Sequence, residues 1–134
     1  MGINMKKYLL DSVILIDHFN NISQATNFIK KNHKLCYISA ITRAEVLTGF
    51  QNEQSEFAIK LLDSFELLVV DKNIADLSAK FRQTYRTKLP DAIQASTAIY
   101  HQLILVSRNT KDFKEGNHYF DRNDLVLCPY QLTP

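Results

Sequence analysis

Residues 8–19 read Tyr8-Leu9-Leu10-Asp11-Ser12-Val13-Ile14-Leu15-Ile16-Asp17-His18-Phe19. The apolar triplet has the character of a short strand. Asp11 interrupts it, and apolar residues then resume at helical spacing from Val13 to Phe19. A strand passing at once into a helix is the unit of parallel sheets, because parallel neighbours need a crossover connection. The alternation continues along the chain. Residues 25–31 read as a short helix, 35–39 as a strand, and 40–50 as a helix stopped near Gly49. Residues 53–64 form an amphipathic helix with Phe57, Leu61 and Leu62 on one side, and 65–70 an apolar strand. Ile74, Leu77, Ser78 and Phe81 fall at i, i+3, i+4 and i+7 of a helix over 74–87. A helix over 90–102 leads into 103–106, the clearest buried strand, and 125–128 is a last short one. The expectation is α/β: a three-layer α/β/α sandwich around a central parallel sheet, as one domain over residues 1–134.

Four acids stand where strand-like runs give way to helix starts. Asp11 follows Leu10, and Glu45 lies just past Cys36-Tyr37-Ile38-Ser39. Asp91 follows Pro90, and Asp112 closes the run that begins at Leu103. In an open α/β sheet, strand C-termini and helix N-termini share one edge, and ligands bind in the crevice there. Carboxylates gathered at short range resist ionisation. They do suit a hard divalent cation such as Mg²⁺, which takes oxygen ligands. Each acid also has a plainer role. Asp11 suits a helix N-cap, although Ser12 would serve. Glu45 completes a capping box with Thr42, but Ser39 is the better cap and would put Glu45 in the second turn, between Ile41 and Thr48 on a largely apolar face. Asp91 suits the first turn of a helix that Pro90 opens, and Ala92, Ala95, Ser96 and Ala98 let that helix lie close to the sheet. Asp112 could pair with Asn109 in a capping turn. Their joint appearance carries the functional reading.

The bulk properties permit this chemistry without demanding it. The chain has 134 residues, 46% hydrophobic and 22% charged, with three Gly and three Pro, which suits a globular domain with a core of its own. Its net charge of +2 tolerates a nucleic-acid partner. Any RNA grip would come from basic residues around the acids: Lys30, Lys31 and Lys34; Arg82, Arg86 and Lys88; or Arg108, Lys111 and Lys114. Cys36 and Cys128 lack metal or redox spacing and read as free thiols in a reducing cytoplasm. Lys6-Lys7 before an apolar run resembles a short signal peptide, but Asp11 and Ser12 interrupt it and no cleavage site follows. Nothing approaches a membrane span. Position 6 is Lys, so no myristoylation signal follows Gly2, and Met5 could serve as an alternative start.

The stretches 11–17, 38–49, 89–98 and 105–113 resemble, in order and spacing, the four motifs of PIN-domain ribonucleases, in particular VapC-type toxins of type II toxin–antitoxin modules. The resemblance spans almost the whole chain. It implies a PIN fold and a Mg²⁺- or Mn²⁺-dependent endoribonuclease, with homodimers and inhibition by a cognate antitoxin. Asp11, Glu45, Asp91 and Asp112 match the acidic quartet as catalytic residues and metal ligands. Ser12 matches the polar residue beside the first acid, and Asn109 the one beside the last. Both are expected to orient a ligand or phosphate oxygen. Ser107 stands where Thr is common and keeps the hydroxyl.

Other readings fit less well. A haloacid-dehalogenase-like phosphatase needs a second Asp two residues after the first, where this chain has Val13. A phosphoacceptor receiver domain needs an early acid pair that is missing. A PIN nuclease outside a toxin–antitoxin module, or a non-catalytic PIN-like scaffold for RNA or protein, remains as an alternative. His18, His33, His101 and His118 lack a nucleophile partner and read as surface or packing residues.

Overall fold

Strand β1 (Tyr8–Leu10) lies at the centre of a five-stranded, wholly parallel sheet of order β3-β2-β1-β4-β5. The other strands are β2 (Cys36–Ser39), β3 (Glu66–Leu68), β4 (Ile104–Val106) and β5 (Val126–Leu127). The structure is a computed structural model that describes residues 6–109 and 111–132; Met5 lies outside the described residues. Helices α1 (Ser12–Phe19), α2 (Ser23–Asn32), α3 (Ala40–Thr48) and α4 (Gln54–Asp63) precede β3; α5 (Lys72–Tyr85) and α6 (Leu89–Tyr100) precede β4. The three-layer α/β/α sandwich expected from the sequence is what forms.

The two-residue period of a strand feeds both faces of the sheet. Leu10 and Val106 enter one core with Ile14, Leu15, Ile29, Ile38 and Leu62. Leu9 and Leu105 enter the other with Phe81, Ala92, Ala95 and Phe113. Strands buried on both faces read as continuous apolar runs, which is why 103–106 was legible. The expected boundaries shift by a residue or two. Leu35 closes a 3₁₀ turn instead of opening β2, and β3 is shorter than the apolar run over 65–70. β3 is one edge of the sheet, and Val69 is 63% exposed just beyond it.

This topology places the site. The chain runs outward from β1 through β2 to β3, then returns to lay β4 on the other side of β1. The strand order therefore reverses at β1, and the crevice outside its C-terminal end is a switch point. α6 leads into β4 and runs back along the sheet, so its first turn lies at the same edge. The small residues Ala92, Ala95, Ser96 and Ala98 are all buried, and they seat the helix closely. Overfilling that seat is expected to be costly. Ala95→Leu should lower stability by about 1–3 kcal/mol, as measured by urea unfolding.

Candidate active site

Asp11 follows β1 directly, and its backbone N–H donates to the Val106 carbonyl at 2.9 Å, extending the β1–β4 pairing by one bond. The side chain caps α1, and Oδ1 accepts from the Ser12 N–H at 2.9 Å. Gln94 Nε2 donates to the same oxygen at 3.3 Å, and Ser107 Oγ donates to Oδ2 at 2.7 Å. Asp11 is 7% exposed. Burial raises its pKa, the hydrogen bonds from Ser107, Gln94 and Ser12 oppose the rise, and Asp112 adds to it.

A saturated polar network stands behind Asp11. Ser39 caps α3 by accepting from the Thr42 N–H at 3.1 Å, as its position after β2 suggested. Its hydroxyl also donates to Gln94 Oε1 at 2.6 Å. Gln94 Nε2 donates to Thr42 Oγ1 at 2.6 Å, and Thr42 donates onward to the Leu10 carbonyl at 3.1 Å. Gln94 thus uses its acceptor and its donors in a site where it is 1% exposed. Buried networks fix geometry only when they are satisfied to this degree.

The other acids arrive from separate elements. Glu45 lies in the second turn of α3, but it is exposed and not set on a buried apolar face as its neighbours had suggested. Its pKa is raised by burial of part of the carboxyl, lowered by a hydrogen bond from the Ser12 side chain, and raised by Asp11. Asp91 sits half-buried in the first turn of α6, after Pro90. Burial pushes its carboxyl up to about 6, and Asp112, Asp11 and Glu45 push in the same direction while Lys88 opposes them. Asp112 accepts from Asn109 Nδ2, and the Asn109 N–H donates to Ser107 Oγ at 3.1 Å. The four expected acids therefore feel one another across one crevice, and none of them takes part in an ion pair among the described residues. Ser12 and Asn109 hydrogen-bond the acids: the Ser12 N–H donates to Asp11, its side chain bonds Glu45, and Asn109 Nδ2 donates to Asp112.

An all-oxygen, anionic donor set without a matching cation suits a hard divalent ion. Among the described residues, no three His, Cys, Asp or Glu side chains are yet drawn close enough to hold one. The set fits such an ion in kind, and an ion would have to gather it.

Sequence reasoning missed Gln94, Thr42 and the second bond of Ser39. Gln94 stands one turn after Asp91 on the same helix face, among small residues, and that was the available signal. Of the basic candidates, Arg108 is engaged with Asp17. Arg82 donates from Nε to the Thr87 carbonyl at 3.0 Å. Cys36 and Cys128 are free thiols, as expected. No helix among the described residues is long and apolar enough to cross a membrane.

The pKa of Asp91 implies a stability cost of definite sign. A carboxyl raised from 3.8 to about 6 holds its proton more tightly in the folded state. The folded state therefore loses stability as pH rises through that window, and the loss is complete above it. Asp91→Asn should raise the Tm of the metal-free protein at neutral pH by roughly 2–5 °C, after discounting for solvent exposure. The gain should vanish below about pH 4, where the wild-type carboxyl is protonated in both states, as thermal melts across pH will show.

Comparison with known proteins adds a family to this geometry. A family model of the PIN domain matches residues 8–118. Among solved structures, the chain is similar to a toxin–antitoxin complex from Klebsiella pneumoniae, with 35% identity and a TM-score of 0.83 over 94% of this chain and 100% of that one. It is also similar to VapBC-1 from nontypeable Haemophilus influenzae, with 26% identity and a TM-score of 0.63 over 80% of this chain and 90% of that one. FitAcB from Neisseria gonorrhoeae, at 22% identity and a TM-score of 0.70 over 93% and 99% of the two chains, shares the fold. No curated protein matches the chain.

Proposed function

This chain belongs to the PIN domain family, and on that premise we propose that it is a divalent-metal-dependent endoribonuclease acting as the toxin of a toxin–antitoxin pair. The observation that carries the reading is the electrostatic coupling of four carboxylates, from four separate elements, at the switch point of the sheet. The likeness to the Klebsiella pneumoniae toxin–antitoxin complex supports the toxin role.

Asp11, Asp91, Glu45 and Asp112 would hold Mg²⁺, with Mn²⁺ as a substitute. When bound, such an ion supplies Lewis-acid stabilisation of phosphate-oxygen charge and acidifies water, on which phosphodiester hydrolysis at neutral pH draws. The residues of the chain supply position and proton acceptance. Asp11, fixed by Ser107, Gln94 and the α1 backbone, is the most rigid ligand. Glu45 is exposed, and its raised pKa suits it to accept the proton of an attacking water. Asn109 keeps Asp112 turned toward the crevice. In-line attack with departure of the 3′ oxygen leaves a 5′-phosphate and a 3′-hydroxyl.

An antitoxin partner fits the surface beside the acids. Ile16, Phe19, Val46 and Phe50 line an apolar groove of about 200 Å³ with Glu45 at its rim. An antitoxin segment seated there could direct an Arg fork at the carboxylates. The homodimer implied by the family belongs to the same proposal, and light scattering of the purified protein reads it.

The nuclease reading is tested on labelled total RNA. The purified protein should give discrete fragments with Mg²⁺ or Mn²⁺ and none with EDTA. Asp11→Asn and Asp91→Asn should each lower the rate by more than about 100-fold, the upper end of what even an outer-shell partner of a metal costs. Wild type and variants behaving alike would defeat the reading and favour a non-catalytic scaffold.

A further inference from the structure

Asp17 is a buried acid that the proposed chemistry does not use. It is 4% exposed and lies on α1, almost two turns beyond Asp11. The Arg108 guanidinium grips it with two parallel bonds, Nη2 to Oδ1 at 2.9 Å and Nε to Oδ2. Tyr130 Oη donates to Oδ2 at 2.7 Å. Burial works to raise the Asp17 carboxyl, and the guanidinium and phenol together hold it below its ordinary value.

The position of Arg108 gives this cluster its significance. Arg108 lies between Ser107, which donates to Asp11, and Asn109, which donates to Asp112. The bidentate fork is the most directional contact Arg makes, so it ties the backbone of this loop to α1, the helix Asp11 caps. Tyr130 adds a tether from the C-terminal segment. Its ring packs on the core around Leu10 and Ile14, and its carbonyl accepts from Cys128 Sγ at 3.3 Å.

We propose that Asp17, Arg108 and Tyr130 form a clamp that positions Ser107 and Asn109, and through Asn109 the carboxylate of Asp112, for metal binding. Arg108 is thus a positioning residue and not an RNA contact. The inference rests on the metal-dependent nuclease reading.

Arg108→Ala would strand a buried carboxylate and risk unfolding. Arg108→Lys keeps the charge and loses the fork. Tyr130→Phe removes one hydrogen bond and little else. Both variants are compared with wild type by amide hydrogen exchange of the metal-free protein, by Mn²⁺ titration, and by kcat and KM on RNA. In Arg108→Lys, exchange over 107–113 should quicken about tenfold while the β1 and β2 amides hold their wild-type rates. Its Mn²⁺ affinity should fall roughly 10- to 100-fold, and kcat should drop at unchanged KM. Tyr130→Phe should show the same pattern at about 2- to 10-fold. Wild-type Mn²⁺ affinity in the folded variants would overturn the clamp, as would exchange that quickens equally across the sheet. A wild type that binds Mn²⁺ without cutting RNA defeats the nuclease reading alone, and the clamp is then judged on exchange and affinity. A wild type that binds no Mn²⁺ overturns both.

Discussion

Burial of carboxylates beside one another is the constraint that the rest of this structure answers. Asp11, Glu45, Asp91 and Asp112 share one crevice, where burial first and acidic neighbours second raise the carboxyls of Asp11, Glu45 and Asp91. A fold left to its own stability would scatter or neutralise them. Here the separate elements converge on them, and the buried polar groups of the chain are turned toward holding them. Under the proposed function, a site that costs stability without a cation would gain it by binding one.

The support is uneven, and the unevenness has a physical basis. Asp11 is the buried acid and carries three hydrogen bonds, because a buried charge without donors could not persist. Glu45 and Asp91 are more open to water and rely on it. Asp112 hangs on a loop whose anchors are a hydroxyl, an amide and the Arg108 fork. The site therefore grades from a rigid centre at β1 to adjustable acids around it. Under the proposed function, such grading would suit an ion that gathers its ligands, since no three His, Cys, Asp or Glu side chains among the described residues stand close enough to hold one.

Most of the fold was legible because the apolar runs are short, β-branched or leucine-rich, and separated by residues with helical spacing. The acids were legible because an Asp or Glu at the end of an apolar strand violates the pattern around it. The second tier was not. Gln94 and Thr42 lie inside helices whose composition they barely disturb, and a hydroxyl or amide has no preference that reveals a distant partner. Ser39 was read as a cap, which it is, but nothing in the sequence shows the bond it makes to a residue 55 positions away. The partner of Arg108 was hidden for a related reason. A basic residue beside an acidic motif suggests a substrate contact, and only the chain crossing that brings Asp17 to it shows the ion pair it makes.

That ion pair bears on how RNA could approach. Lys88 faces Asp91 closely enough to lower its pKa, and Arg82 and Arg86 line a groove with Thr87 and Leu89, just before the first turn of α6. Under the proposed function, a phosphate backbone would be held from that side and delivered across the acids, because positive charge precedes α6 and the carboxylates follow it. The cation then does double duty, relieving the repulsion among the acids and permitting a second anion to enter. An Arg from an antitoxin would relieve the same repulsion without assisting hydrolysis. The electrostatic cost built into the empty site is therefore what would let a metal and an inhibitor compete for it.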